Sequence, residues 1–288
     1  MLNVVIDNMT YPVQKIGQGP IACLCVGLGN LLLRSLSDNF KEMFTLYATD
    51  LYFTAEYKHP NAQSFTMTAL SSHVVEIIHQ LHLRKPILMA HSCFGILALE
   101  IAKYHHADLG GVILVASAPQ WNNASIAFTD KYFKEHAELE RIENDHLRKQ
   151  KYALIEKPFD SEVSIDKYIA DSARYWGDFT ISEEAIRLLW KDIQVDDVII
   201  NQFFEYILPN HNLSIDIEKV KVPTLLLAGE RDYDSLPLVQ WENFPKPRAF
   251  TVINCGDVGH WPQLENQQVF DKSVREWITV FINFKDAD

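Results

Sequence analysis

Short runs of uninterrupted apolar residues constrain this chain more than any other feature. Ile21–Val26 (IACLCV), Pro86–Ala90 (PILMA) and Gly111–Ser117 (GVILVAS) lack the polar alternation of a strand with one wet face. Each therefore reads as a strand buried on both sides. Between the second and third run, Gly95–His105 has helical spacing. Ahead of them, Met67, Leu70, Val74, Ile77, Ile78 and Leu81 mark another helix over 65–83, which Thr66 or Thr68 can cap. Thr45–Thr49 reads as a further strand, and Val4–Ile6 with Tyr11–Ile16 as an opening hairpin. Strand, helix, strand at this rhythm implies parallel pairing with right-handed crossovers. The expected fold class is α/β, with a mostly parallel central sheet and helices on both faces.

The character changes at Pro119. From about Trp121 to Asn212 the chain is charged, helical and aromatic, with no buried-strand run. Lys131–Lys151 mixes Glu, Lys, Arg and His densely, as a solvated helix does. Trp176, Phe179, Trp190, Phe203, Phe204 and Tyr206 are too many aromatics for a linker, and either form a core of their own or line an apolar cavity. The strand rhythm resumes at Thr224–Ala228 and Ala249–Asn254, and an amphipathic helix from about Gln267 to Phe284 closes the chain. The expected organisation is an α/β core over 1–119, a helical insertion over 120–213, and the rest of the core over 214–288.

Composition narrows the function. With 48% hydrophobic residues the chain can bury a large core, and its net charge of −12 argues against nucleic acid or an anionic membrane as partner. No apolar stretch is long enough to span a membrane, and Met1–Asp7 lacks the basic leader of a signal peptide, so a cytoplasmic location is expected. Cys23, Cys25, Cys93 and Cys255 form no metal-type pair and read as free, buried thiols. His79 and His82 find no third ligand and read as a surface pair, so no metal or cofactor is expected.

The chemistry concentrates at three strand ends. Pro86–Gly95 (PILMAHSCFG) is strand, tight turn, helix. Ser92 at the turn is the candidate nucleophile, with Ala90 small two places before it and helix onset in register after it. Cys93 is the alternative, and a serine that merely caps the helix is the bland one. After Thr224–Ala228 comes Asp232, with Asp234 and Asp257 as competing acids. After the next strand comes His260, in a loop before the last helix. A hydroxyl needs an imidazole to take its proton and a buried carboxylate to orient that imidazole, and Ser92, Asp232 and His260 follow in the order of such a set. Backbone N–H groups of Leu28, in the glycine loop Gly27–Asn30, and of Cys93 are the candidate oxyanion donors. Phe94, Trp176 and Trp261 are the candidate substrate contacts.

With these segments in hand, the chain resembles the α/β-hydrolase superfamily, in the lidded branch that includes proline iminopeptidases, esterases and carbon–carbon-bond hydrolases. The resemblance spans the chain and is carried by Ala90–Glu100 (AHSCFGILALE), Val222–Asp234 (VPTLLLAGERDYD) and Gly259–Glu265 (GHWPQLE). It implies Ser92 as nucleophile, Asp232 as acid, His260 as base and the insertion as a lid. The chain departs from the pattern at Val26–Gly27, where His-Gly is usual, at Phe94, where a small residue is usual, and at Asp50–Phe53. The expected function is hydrolysis of a small or medium carboxylic ester. An aminopeptidase needs lid carboxylates to hold an ammonium, and Glu138, Glu140, Glu143 and Asp145 read as solvated. A binding protein that keeps the triad without turnover is the alternative from outside enzymology.

Overall fold

The computed structural model describes residues 1–7, 9–50, 53, 65–152 and 161–281. Its strands are β1 (Leu2–Ile6), β2 (Met9–Ile16), β3 (Ile21–Val26), β4 (Phe44–Ala48), β5 (Ile87–His91), β6 (Gly111–Val115), β7 (Thr224–Ala228) and β8 (Phe250–Asn254). They form a single sheet in the order β1-β2-β4-β3-β5-β6-β7-β8. β1 with β2 and β2 with β4 pair antiparallel; every pair from β4 through β8 is parallel. The opening hairpin thus leads into the parallel sheet expected from the apolar runs.

Why those runs are apolar throughout is visible in the packing. Leu24, Leu88, Val112 and Leu226 belong to the core on one face of the sheet, while Cys23, Cys25, Met89, Ile113 and Leu227 belong to the core on the other. Neighbouring residues point to opposite faces of a strand, and here both faces are dry. All four cysteines are free and buried.

Two helices absent from the sequence reading, α1 (Gly29–Ser35) and α2 (Asp38–Met43), carry the chain from β3 to β4. They are only 7 and 6 residues long, too short for a periodic signal to stand out. The next helix, α3 (Met67–Gln80), starts where Thr66 accepts a hydrogen bond from the Ala69 N–H at 3.1 Å, and α4 (Phe94–Tyr104) follows β5. The closing helix is described as Gln267–Phe281; the residues expected to extend it to Phe284 lie outside the described set, as do Leu51 and Tyr52 of the Asp50–Phe53 departure.

The insertion contains α5 (Asn123–His136), α6 (Leu139–Tyr152), α7 (Ser161–Ala170), α8 (Ser172–Tyr175), α9 (Glu183–Leu189) and α10 (Asp197–Gln202), the last running into a π-helical turn over Phe203–Ile207. One expectation fails here. Lys131–Lys151 is not a single solvated helix: α5 ends at His136, α6 begins at Leu139, and Arg141 and Asp145 on α6 are buried. The Arg141 guanidinium donates to the carbonyls of Ala173, Trp176 and Gly177 at 2.7, 2.7 and 2.6 Å and lies over the Phe179 and Tyr233 rings. Asp145 pairs with Lys149 and Arg174. Charge-rich sequence marks a solvated face only when no backbone waits to be capped, and here a tight segment of carbonyls does.

Candidate active site

β5 ends at His91 and α4 begins at Phe94, so Ser92 and Cys93 alone make the turn between them. Ser92 takes a left-handed backbone conformation, φ +58°, which costs an L-residue about 1–2 kcal/mol. The surroundings hold it there. Its N–H donates to the Val115 carbonyl at 2.9 Å, and its carbonyl accepts from Ser117 Oγ at 2.6 Å and from the Gly95 N–H at 3.0 Å. Gly95 has to be small, because a Cβ there would lie 2.3 Å from Ser117 Oγ.

One departure from the hydrolase pattern, Phe94, packs against a glycine that keeps to it, Gly27. Gly27 has φ +91°, and a Cβ on it would lie 2.3 Å from Cγ of Phe94. The Phe94 ring occupies the space over Gly27 and stacks on Phe203 with centroids 5.3 Å apart. Its bulk is therefore accommodated beside the turn. Cys93 is buried, and burial first, with the charge of Asp234 second, pushes its thiol far up, which disfavours the thiolate.

The other two strand ends meet. Nδ1 of His260 lies 2.8 Å from Oδ2 of Asp232, and both side chains are essentially sealed from solvent. The same carboxylate accepts from the Ser235 N–H at 3.1 Å and from Ser235 Oγ at 3.0 Å. Burial pulls the His260 imidazole down, yet the charge and hydrogen bond of Asp232 outweigh it, and the group titrates above its ordinary value. Backbone bonds fix the ring's position: the His260 N–H donates to the Tyr175 carbonyl at 2.5 Å, and its carbonyl accepts from Nε2 of His91 at 2.7 Å. Burial and the nearby His260 hold His91 well below the usual imidazole range, so it stays neutral, stacked on Trp261 at 4.2 Å.

The competing acids stand elsewhere. Asp257 pairs with Arg231. Asp234 is half-buried on the wall of the cavity, hydrogen-bonded by the Tyr175 hydroxyl, and burial pushes it up to about 6.

Ser92 and His260 line one cavity of about 740 Å³ between core and insertion. Leu28 and Cys93 line it too, and each is the N-cap residue of a helix, α1 and α4. Phe94 and Trp261 reach its wall, but Trp176 does not; it lies behind Trp261, 6% exposed, with ring centroids 6.2 Å apart. Trp176, expected as a substrate contact, is thus set back from the cavity and packs against Trp261, which lines it. Of the carboxylates expected to be solvated, Glu138, Glu140 and Glu143 are exposed and Asp145 is buried. None of Glu138, Glu140, Glu143 and Asp145 lines the cavity, whereas Asp171, Glu205 and Asp234 do. Ser235, Tyr175 and Glu265, all bonded to the acid or the base loop, were given no role by sequence reasoning. A hydrogen bond to a distant backbone leaves no periodic trace in a sequence.

No family model matches the chain. It is 23% identical to the AB hydrolase superfamily protein YclE of Bacillus subtilis (strain 168), over 94% of this chain and 95% of that one. Among solved structures, it is similar to an alpha/beta fold family hydrolase from Bacillus anthracis str. Sterne, with a TM-score of 0.72 and 16% identity over 96% of this chain and 98% of that one. An esterase from Exiguobacterium antarcticum matches with a TM-score of 0.68 and 17% identity, over 96% and 98% of the two chains. A meta-cleavage product hydrolase from Pseudomonas fluorescens IP01 matches with a TM-score of 0.66 and 14% identity, over 97% of each.

Proposed function

We propose that this protein, which has the α/β-hydrolase fold, is a serine hydrolase that transfers an acyl group from a medium-sized carboxylic ester to water. One observation carries the reading: a sealed His260–Asp232 pair at 2.8 Å faces the same cavity as a serine held in a left-handed turn. His260 takes the Ser92 proton as Oγ attacks the ester carbonyl. The tetrahedral oxyanion forms beside the N–H groups of Leu28 and Cys93, where two helix N-termini add positive potential. Collapse of that intermediate breaks the ester bond as His260 returns its proton to the departing alcohol. Water, deprotonated by the same imidazole, then frees the acid and restores Ser92. Asp232 keeps Nδ1 protonated, so Nε2 is the atom left to act as base.

Shape supports an ester with an apolar part. Leu28, Leu31 and Leu32 form one side of the cavity with Trp190, Val195 and Ile200, enough apolar wall for an acyl chain of several carbons. A second reading, an aminopeptidase, draws on Asp171, Glu205 and Asp234 in the same wall. Asp171 already has a cation in Lys149 at 2.9 Å, and Asp234 already has the Tyr175 hydroxyl, which favours the ester.

Turnover of p-nitrophenyl esters from acetate to decanoate, set beside aminoacyl p-nitroanilides, tests the choice. Butyrate to octanoate should be hydrolysed best, the anilides at least tenfold more slowly, and a fluorophosphonate should label wild type but not Ser92→Ala. Anilides hydrolysed faster than every ester would establish the second reading. Labelling that survives Ser92→Ala would exclude the mechanism.

A further inference from the structure

The loop carrying His260 is held by more than its own strand and helix. Three successive backbone N–H groups, those of Gly259, His260 and Trp261, are all engaged. The outer two donate to the Glu265 carboxylate, Gly259 to Oε1 at 3.0 Å. The middle one donates to the carbonyl of Tyr175, in the insertion. Oε2 of Glu265 then accepts from the N–H of Gly177, also in the insertion, at 2.7 Å. Tyr175–Gly177 and Gly259–Trp261 therefore lie against one another as a short ladder, with Glu265 as the rung that both share.

The contact leaves no slack. A Cβ on Gly259 would lie 2.1 Å from the Tyr175 carbonyl, and one on Gly177 would lie 2.9 Å from Cα of Val258. On its far side the same segment is gripped by Arg141, through the carbonyls of Ala173, Trp176 and Gly177. The N–H of Tyr233, next to Asp232, donates to the Arg174 carbonyl at 3.0 Å. This middle segment of the insertion thus touches both the acid loop and the base loop.

We infer that Glu265 is a positioning residue for the base: it pins Tyr175–Gly177 to Gly259–Trp261, so that the His260 imidazole reaches its working position only with this part of the insertion seated. The inference rests on the reading of His260 as base. A misplacement of about 1 Å at a reacting group costs up to about a hundredfold in rate. That loss falls mainly on kcat, because most of the apolar lining, including Leu28, Leu31, Leu32, Trp190, Val195 and Ile200, lies outside the two pinned segments.

Glu265→Gln tests it, since the amide keeps the volume but turns an NH2 group toward a backbone N–H. Gly177→Ala tests it from the other side: its Cβ would lie 2.8 Å from Oε2 of Glu265 and 2.9 Å from Cα of Val258, so it displaces the same contact without altering the carboxylate's chemistry. In each variant kcat should fall roughly 10- to 100-fold with KM within about threefold. The low-field proton resonance of His260 Nδ1–H should broaden or vanish, while the thermal transition remains cooperative. Wild-type kcat together with an unchanged resonance in both variants would overturn the inference. If Glu265→Gln does not fold, Gly177→Ala decides alone on the same two readouts. His260→Ala is the separate control: wild-type turnover in it would overturn the assignment of the base and not merely its positioning.

Discussion

Ser92 combines a proposed chemical role with a conformational cost, and the two can be separated by substitution. Its φ of +58° is comfortable only for glycine among the common residues. Ser92→Gly should therefore remove the nucleophile and stabilise the fold at once. A gain of about 1 kcal/mol, or about 2–4 °C in Tm for a chain of this size, is expected from the relieved conformation. Ser92→Ala should abolish labelling equally but leave Tm near that of wild type, because alanine keeps the strain. Differential scanning calorimetry of the two variants reads the difference directly. A Tm for Ser92→Gly below that of Ser92→Ala would mean that the turn is not strained as its backbone angle implies. The placement of Ser92 in a tight turn between strand and helix was readable from its neighbours. The identity of its supporters was not: Ser117 is an ordinary serine in the sequence and becomes a partner of Ser92 only when β5 and β6 lie side by side, while Ser235 bonds Asp232 across their own turn.

The junction of β3 with α1, against the start of α4, is where the chain departs from the hydrolase pattern. Gly27 and Phe94 form one packing unit across two loops, 67 positions apart in sequence. Gly27→Ala meets both an unfavourable φ of +91° and the Phe94 ring, so a loss of about 2–4 kcal/mol is expected. In a Phe94→Ala background the steric part disappears, and the same Gly27→Ala change should cost at least about 1 kcal/mol less. Urea denaturation of the four proteins in that cycle measures the coupling. Additive losses would show that the ring does not depend on the glycine. This coupling leaves no trace at either position in the sequence, because it runs through space.

Across the folded chain, buried ionisable groups tie stability to pH. Asp234 is pushed from its ordinary 3.8 up to about 6, so the folded protein holds that proton more tightly than the unfolded one. Its contribution to stability is therefore complete below pH 3.8 and is lost as pH rises toward 6. Allowing for the side of the carboxyl that faces the cavity, the loss is about 1–2 kcal/mol. Asp234→Asn should then be more stable than wild type at pH 8 by about that amount, and equal to it or slightly less stable at pH 4. Urea unfolding at the two pH values provides the check, and a variant less stable than wild type at pH 8 would contradict it. At acid pH His91 works in the opposite sense: burial holds it below its ordinary value, so its contribution weakens as pH falls and the unfolded imidazole takes up a proton. The single-residue comparison isolates Asp234 from that opposing trend.

Fold class and the order of the three chemical segments were legible because they depend on local pattern. A strand dry on both faces must be apolar at every position, as Ile21–Val26 and Thr224–Ala228 are, and a parallel sheet delivers its strand ends to one edge. From that edge Ser92, Asp232 and His260 followed by chain order. What lay beyond the pattern is whatever depends on two surfaces meeting: the burial of Arg141 in a stretch that reads as solvent-loving, the retreat of Trp176 behind Trp261, the carboxylates that line the cavity, and the bond from Glu265 to the insertion. Hydrophobic periodicity records which side of an element is buried. It carries no record of which distant backbone group will stand opposite a given side chain, because that is set by the docking of whole elements.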